Sequence, residues 1–238
     1  MTNRHLSACD ARSHEVQTLF AGIARRYDLL NDLLSAGLHR RWKRRLVAIV
    51  RQRIENSGDG KQLRTLDLCC GTGDIASALP GWVVGVDFTA AMLRIAAQRA
   101  RRVRWVCADA LRLPFPDGCF DFVTVGYGLR NLADLDAGLR EVLRVLRTGG
   151  ALFSLDFGKP RNPLWRAFYR AYLRVWSPFL GWLAAGNAAA YAYILASLDR
   201  YPGQRGVKLA MERCGFAECG FEDLCWGAMA INWGHRPR

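Results

Sequence analysis

The chemically most informative part of the chain is a glycine turn set between two short apolar runs. Leu66 to Cys70 predicts a strand, and Gly71-Thr72-Gly73 predicts a tight turn that opens a helix. The missing glycine side chains let a ligand approach the backbone, and the unpaired N–H groups of a helix start face that ligand. The second run, Trp82 to Val86, delivers Asp87, where an acid accepts hydrogen bonds from a ribose diol. The spacing predicts an adenosine-bearing cofactor.

The upstream Asp67 bears on which adenosine cofactor binds. A dinucleotide fingerprint allows alanine three positions after the second glycine, and Ala76 stands there, so spacing alone leaves NAD open. The pattern Asp67-x-x-x-Gly71-x-Gly73 resembles the first motif of class I S-adenosylmethionine (SAM) methyltransferases, whose acid organises binding of the cofactor's amino-acid part. SAM has no pyrophosphate, and its cationic amine tolerates an acid there. We therefore predict that SAM is bound by Asp67, Gly71, Thr72, Gly73 and Asp87.

Strands that alternate with helices position these residues. Beyond Asp87 the predicted elements are a helix over Ala90 to Arg101, a strand over 103–108, a strand over 120–125, a helix from Asp134 that Gly149-Gly150 stops, and a strand over 151–157. This alternation predicts a parallel, doubly wound sheet with ligands at the carboxyl ends of its strands. The residues at such ends are Asp67, Asp87, Asp109, Gly126 and Asp156. We expect Asp109 and Ala110 near the adenine amino group, and Gly126 to bind the cofactor through its backbone.

Helical segments flank this core. Residues 14–55 predict two helices that Gly37 separates, the first with an apolar face from Val16 to Tyr27 and the second very basic over Arg40 to Arg45. After the fifth strand comes an insert of about 45 residues, longer than a crossover needs. Its first helix combines an aromatic face with regularly spaced arginines, namely Arg166, Arg170 and Arg174, and Pro178 is expected to end it. This helix is an ordinary helix packed on the core, a cover over an apolar ligand, or a lid that contacts a membrane.

Two apolar runs between Gly215 and Trp233 predict a terminal hairpin that completes a seven-stranded sheet. The predicted organisation is a single domain over residues 1–238. Its parts are an N-terminal helical cap (14–55), a SAM-binding core (62–157), a helical insert that covers the substrate (158–205) and a terminal hairpin region (206–238).

Composition and charge limit the partners. The 238 residues are 51% hydrophobic and 23% charged, as one globular domain requires, but the net charge is +13. Such an excess predicts an anionic partner, nucleic acid or a lipid surface, unless it is only a solvated basic surface. The eight cysteines form no CxxC pair and join no histidine cluster, so we predict no metal site and a reducing compartment. We expect neither a signal peptide nor a membrane-spanning segment.

Longer motifs resemble those of the ubiquinone/menaquinone biosynthesis C-methyltransferase family. They are FAGIARRYDLLNDLLSAGLHRRWKR, DLCCGTGD, GYGLRNLADLDAGLREVLRVLRTGG, LDFGKPRNPL and SLDRYPGQ, spread from about Phe20 to Gly215. Departures are Gly126, where some members carry serine, Thr148 in place of proline, and the middle of the insert. The resemblance implies a class I SAM-dependent methyltransferase fold, an α/β Rossmann-like sheet of seven mostly parallel strands. It also implies C-methylation of the ring of a polyprenylated quinol.

That reaction sets requirements on the site. A ring carbon is a poor nucleophile until the neighbouring phenol ionises, which costs roughly 4 kcal/mol at pH 7. The site must remove that proton or stabilise the oxyanion. We predict that Arg130 and Asn131, just beyond the fourth strand, stabilise the anion, and that Tyr27 and Asp28 order a water or the ring hydroxyl. His39 is the candidate base, with a purely structural role as its alternative.

Rival functions and several finer questions stay open at this point. A nucleic-acid methyltransferase is disfavoured because GYGLRN replaces the Asn/Asp-Pro-Pro-aromatic motif and no Pro-Cys occurs. The intact acidic and glycine positions also disfavour a non-catalytic or NAD-binding protein. Demethylmenaquinol is the favoured substrate, with a ubiquinol or phylloquinol precursor as alternatives. We expect a cytoplasmic enzyme, peripheral on the inner face of the cell membrane through anionic lipid, with no nucleic-acid partner. Monomer and homodimer are both compatible with the sequence.

Overall fold

The computed structural model describes residues 27–57, 62–185 and 195–238, together with positions 18, 21, 22 and 24. Its centre is a seven-stranded sheet with the order β3-β2-β1-β4-β5-β7-β6. The strands are β1 Arg64–Leu68, β2 Trp82–Asp87, β3 Arg104–Cys107, β4 Phe120–Gly126, β5 Leu146–Phe157, β6 Ala217–Leu224 and β7 Met229–His235. β1 to β5 pair in parallel, whereas β7 runs antiparallel to both of its neighbours. The predicted sheet and its terminal hairpin are confirmed.

Helices precede, connect and follow these strands. They are α1 Tyr27–Ser35, α2 Leu38–Asn56, α3 Asp74–Ala78, α4 Ala90–Arg99, α5 Leu135–Val145, α6 Pro163–Ala185 and α7 Gly203–Arg213. Gly37 separates α1 from α2 as predicted, with a left-handed φ of 76°. Most of the apolar face predicted between Val16 and Tyr27 lies outside the described residues.

Apolar side chains fill both faces of the sheet. Val142 of α5 and Val207 of α7 pack with Val125 on one face. Val50 of α2 and Ile75 of α3 pack with Phe153 on the other. With both faces covered, the carboxyl ends of the parallel strands are left as the place where loops build a site.

Two predicted helix ends are wrong. α5 ends at Val145, before Gly149-Gly150, because the following residues extend β5, where Leu146 pairs with Phe120 and Gly149 donates its N–H to the Arg236 carbonyl at 3.0 Å. α6 continues through Pro178 to Ala185. A proline inside a helix removes one backbone hydrogen bond, here the bond to the Arg174 carbonyl. Because Arg174 is exposed, water can take the place of that donor and the helix continues.

Candidate cofactor and substrate site

The turn after β1 forms a cradle of left-handed backbone. β1 ends at Leu68 rather than Cys70, so the turn starts at Cys69, with φ of 54°, and continues through Gly71 and Gly73, with φ of 54° and 82°. A Cβ at Gly73 would come within 2.5 Å of the Trp105 ring, so both its backbone angle and the available space require glycine. The turn thereby presents bare backbone to one side, as the predicted cofactor loop requires.

Asp67 caps the helix that follows this turn. The N-cap position of α3 is Gly73, which has no side chain to accept the first N–H groups. Asp67 supplies the acceptor from β1: its Oδ2 accepts the N–H of Ala76 at 3.0 Å, and its Oδ1 accepts the Thr124 hydroxyl at 2.7 Å. Burial raises the pKa of Asp67 to about 7, against the effect of these hydrogen bonds. Asp67 therefore fixes the start of α3, and its contact with SAM stays a prediction.

Asp87 connects β2 to the same turn. Its Oδ2 accepts the N–H of Gly71 at 2.9 Å and its Oδ1 accepts the N–H of Thr89 at 2.8 Å. Burial raises the pKa of Asp87, while the backbone donors oppose that rise. The carboxylate is thus held at the carboxyl end of β2 by backbone groups, where a ribose diol can still use its remaining lone pairs.

A cleft opens at this end of the sheet. It is lined by residues that include Cys69, Asp87, Asp109, Ala110 and Asn131. Asp109 is exposed and accepts the N–H of Leu111 at 2.9 Å, whereas Ala110 is buried. The sheet therefore brings Asp87, Asp109 and Ala110 together as the strand-end rule predicts. A bare glycine turn, a diol acceptor and an apolar cleft fit an adenosine cofactor.

The other two predicted cofactor residues lie beside the turn. Thr72 is buried, and its hydroxyl donates to Asp28 of α1 at 3.0 Å. Gly126 ends β4 under α3, where an added Cβ would lie 2.3 Å from Cδ1 of Ile75. Their contacts with SAM also stay predictions.

An ionic network closes the helical cap over the turn. Asp28 of α1 pairs with Arg99 of α4 at 2.5 Å, and Arg99 also reaches Asp74 at 3.2 Å. Lys43 of α2 pairs with Asp74 at 3.0 Å. None of these four charged residues was predicted to bind the cofactor, and Asp28 was predicted, with Tyr27, to order a water or the ring hydroxyl. The network joins the cap to the start of α3.

Arg130 lies buried in the turn after β4, next to a residue that lines the cleft. Its Nη1 donates to the Tyr127 carbonyl at 2.6 Å and to Asp156 at 3.4 Å, and its guanidinium stands 5.0 Å from the centre of the Phe157 ring. Asn131 donates to the same Tyr127 carbonyl at 3.2 Å and lines the cleft. The two residues predicted to stabilise an oxyanion are therefore fixed to one carbonyl.

Two tyrosines share the electrostatic environment of Arg130. Burial raises the pKa of Tyr169 and of Tyr201 far above the usual range, and the Arg130 charge opposes that rise in both. Asp156 acts on the pKa of both hydroxyls in the opposite direction. Asp156, Tyr169 and Tyr201 were not among the predicted site residues, although Asp156 was recognised as a strand end.

His39 lies at the corner between α1 and α2. Its Nδ1 is 2.9 Å from the Ser35 hydroxyl and 3.6 Å from Asp32, and the side chain is buried. Burial and the nearby Lys43 charge lower the pKa of His39. These contacts tie the ring to the helix corner, so they support the structural alternative. Tyr27 begins α1, but its side chain is outside the described part of the chain, and both catalytic assignments stay predictions.

Two further features concern metal binding and membrane insertion. Among residues 27–57, 62–185 and 195–238, no group of acidic, histidine or cysteine side chains is arranged to hold a metal ion. Within the same described ranges, no helix has the length and apolar character needed to cross a bilayer.

Comparison with known proteins identifies the relatives of this fold. Residues 8–236 match the model of the ubiE/COQ5 methyltransferase family. The chain is 43% identical to the demethylmenaquinone methyltransferase of Thermus thermophilus, across 92% of this chain and 100% of that protein. It is 39% identical to a ubiquinone/menaquinone biosynthesis C-methyltransferase of Xylella fastidiosa, across 98% and 94% of the two chains. A SAM-dependent methyltransferase of Thermotoga maritima shares the fold with a TM-score of 0.65, 18% identity and coverage of 92% and 98%. The predicted class I fold is thus confirmed.

Proposed function

Because the chain belongs to the ubiE/COQ5 methyltransferase family, and so is a SAM-dependent C-methyltransferase of quinone biosynthesis, we propose that it converts a polyprenylated demethylmenaquinol to menaquinol. The Thermus relative, named for that substrate, favours the naphthoquinol ring. The Xylella relative, named for both quinones, keeps a ubiquinol precursor as the alternative.

The observation that carries the proposal is the buried guanidinium of Arg130, the residue before Asn131, which lines the cofactor cleft. Arg130 is 8% exposed, and its Nε has no hydrogen-bond partner among the described residues. A buried charged donor without an acceptor is costly, so a ligand oxygen that accepts from it is strongly favoured. The quinol oxyanion formed during C-methylation is such an acceptor.

Different residues of the site bind the cofactor, stabilise the developing charge and handle the proton. SAM supplies an electrophilic methyl group when it is bound by the turn at Gly71 and Gly73 and by Asp87. Arg130 and Asn131 stabilise the negative charge that develops on the ring hydroxyl, which makes the neighbouring ring carbon nucleophilic. Tyr27 orders a water or the ring hydroxyl, and His39 remains the less favoured candidate for the base.

The helical parts supply the substrate's surroundings. We assign binding of SAM to residues 62–157 and covering of the quinol to the cap (14–55) and the insert (158–205), with 206–238 closing the sheet. α6 packs against α1, where the Tyr172 hydroxyl donates to the Leu34 carbonyl at 3.1 Å. A prenyl chain needs an apolar exit, and exposed apolar residues cluster on these elements. The enzyme then works at the inner face of the cell membrane, peripheral to anionic lipid.

One assay tests the substrate directly. Purified protein is given labelled SAM and either a demethylmenaquinol or a demethylated ubiquinol precursor, both kept reduced. Label in the naphthoquinol alone is the expected result, and label in both would mean a dual-purpose enzyme. Label in neither, with SAM binding intact, would overturn the proposal. Sedimentation of the same sample distinguishes a monomer from a homodimer.

A further inference from the structure

The end of β5 carries a buried carboxylate whose partner is the proposed catalytic arginine. Asp156 is 3% exposed, and its Oδ2 accepts the backbone N–H of Arg130 at 3.3 Å, while its Oδ1 faces the Arg130 Nη1 at 3.4 Å. Oδ1 also accepts the N–H of Phe157 at 2.8 Å. The carboxylate therefore binds both the main chain and the side chain of one residue, from a strand that is fixed in the sheet.

This double attachment leaves the guanidinium little freedom. Nη1 is further held by the Tyr127 carbonyl at 2.6 Å, and Tyr127 itself has a left-handed φ of 61°. The guanidinium lies over the Phe157 ring at 5.0 Å. Because Nη1 is held by two acceptors and the Phe157 ring covers one face of the guanidinium, the direction of the Nε–H group is fixed. Nε itself has no hydrogen-bond partner among the described residues.

We propose that Asp156 is a positioning residue for the methyl transfer, which holds the Arg130 guanidinium so that its free N–H meets the oxyanion of the quinol ring. This inference rests on the proposed role of Arg130. An arginine stabilises an oxyanion effectively only if its donors already point at the place where the charge develops. Displacing such a group by about 1 Å can cost about a hundredfold in rate.

A double-mutant cycle tests the proposal. We compare wild type with Asp156→Asn, Arg130→Gln and the double variant, and we measure kcat and KM for the quinol and the Kd for SAM. Asp156→Asn is expected to lower kcat by about tenfold to a hundredfold and to leave the Kd for SAM within about twofold. If Asp156 acts through Arg130, the double variant is no slower than Arg130→Gln alone.

A matched control separates positioning from general support of the fold. Asp121 lies at the start of β4, pairs with Arg147 at 2.7 Å and accepts the N–H of Arg64 at 2.7 Å, so it combines an arginine and a backbone donor as Asp156 does. Asp121→Asn should leave kcat unchanged. Asp156→Glu keeps the carboxylate and should recover part of the rate that Asp156→Asn loses, which also covers the case in which the asparagine variant folds poorly.

The outcomes separate this inference from the function on which it rests. If the losses of kcat in Asp156→Asn and Arg130→Gln multiply in the double variant, Asp156 acts independently of Arg130, and the inference is overturned. Normal kcat in a folded Asp156→Asn variant would overturn it while leaving Arg130 in place. Normal kcat in Arg130→Gln would remove both the proposed role of Arg130 and this inference. Equal losses in Asp156→Asn and Asp121→Asn would reduce Asp156 to a fold-stabilising residue.

Discussion

At the scale of single residues, Asp67 has a structural role beside the cofactor-binding role predicted for it, and the sequence pattern does not separate the two. It was predicted from its spacing to the glycine turn, and the structure shows that it caps α3 because Gly73 has no side chain to do so. A position at a strand end is predictable from periodicity. The partner of a buried carboxylate depends on which strands become neighbours, so the bond to Thr124 of β4 could not be predicted.

Asp67 predicts a pH dependence of SAM affinity. With a pKa of about 7, the free protein holds a proton on Asp67 below neutrality. The cationic amine of SAM favours the charged carboxylate, so binding must release that proton. The Kd should rise by up to tenfold per pH unit as pH falls below about 7, and it should level off above 7. Calorimetry in buffers of different ionisation enthalpy measures the released proton.

Variants identify the titrating group. Asp67→Asn should abolish the pH dependence of the Kd. Asp87, whose pKa is also raised by burial, provides the comparison through Asp87→Asn. A dependence that survives Asp67→Asn and disappears in Asp87→Asn would assign the proton to Asp87 and contradict the prediction.

Gly126 gives a second residue-scale prediction. A side chain there would meet Cδ1 of Ile75 at 2.3 Å, so Gly126→Ser should lower the free energy of unfolding by about 1–3 kcal/mol through overpacking. Ile75→Val removes that one methyl group and alone costs about 1 kcal/mol. In the Gly126→Ser background the same change should restore stability. Urea unfolding of the four proteins measures the coupling, and additive losses would show that Ile75 is not the obstacle.

At the scale of elements, the strands and their parallel sheet were predictable and several helix and strand ends were not. Short apolar runs separated by segments of helical periodicity identify β1 to β5, because both signals depend only on residues close together in the chain. The end of α5 was misplaced because the extended chain after Val145 is stabilised by partners distant in sequence, Phe120 and Arg236. The helix past Pro178 was missed because a proline excludes only one hydrogen bond, which water can replace.

The contact between α1 and the cofactor turn predicts that the cap supports SAM binding. Asp28 accepts the Thr72 hydroxyl and pairs with Arg99, so Asp28→Asn loosens the turn from the cap. These side chains are partly exposed, and the expected loss of SAM affinity is about threefold to tenfold, or about 1 kcal/mol. Calorimetric titration with SAM measures it. Asp32→Asn is the control, since Asp32 pairs with Arg40 inside the cap. An equal loss of SAM affinity in that variant would contradict a specific role for the contacts that Asp28 makes with Thr72 and Arg99.

At the scale of the whole molecule, charge and apolar exposure are distributed unequally. Part of the positive charge of α2 is neutralised internally, since Arg40, Lys43 and Arg45 pair with Asp32, Asp74 and Glu222. Among the described residues, the large apolar side chains that are exposed lie mostly on α1, the start of α2, α6 and the β6–β7 turn: Leu29, Leu33, Leu38, Leu164, Phe168, Val175, Trp176 and Trp226. Trp165 of α6 contacts Trp226 at 5.7 Å between ring centres, which joins the turn to α6.

This apolar face, with the exposed arginines of α6, predicts reversible binding to anionic membranes. Aromatic side chains enter the interface while cations meet lipid headgroups, at about 1 kcal/mol each. Changing Arg166, Arg170 and Arg174 to glutamate should therefore weaken flotation with anionic liposomes by about tenfold to a hundredfold, and Arg170 contributes least because it already pairs with Asp199. The same charge change at Arg94, Arg101 and Arg140, which are exposed elsewhere on the protein, should have a much smaller effect.

A second pair of variants tests the apolar part of the contact. Phe168→Ser with Trp226→Ser should weaken binding to neutral and anionic vesicles alike, whereas Leu209→Ser on α7 should not. Unchanged flotation of the α6 variant would exclude this helix as the membrane contact, and an equal loss in the arginine control would reduce the effect to net charge alone.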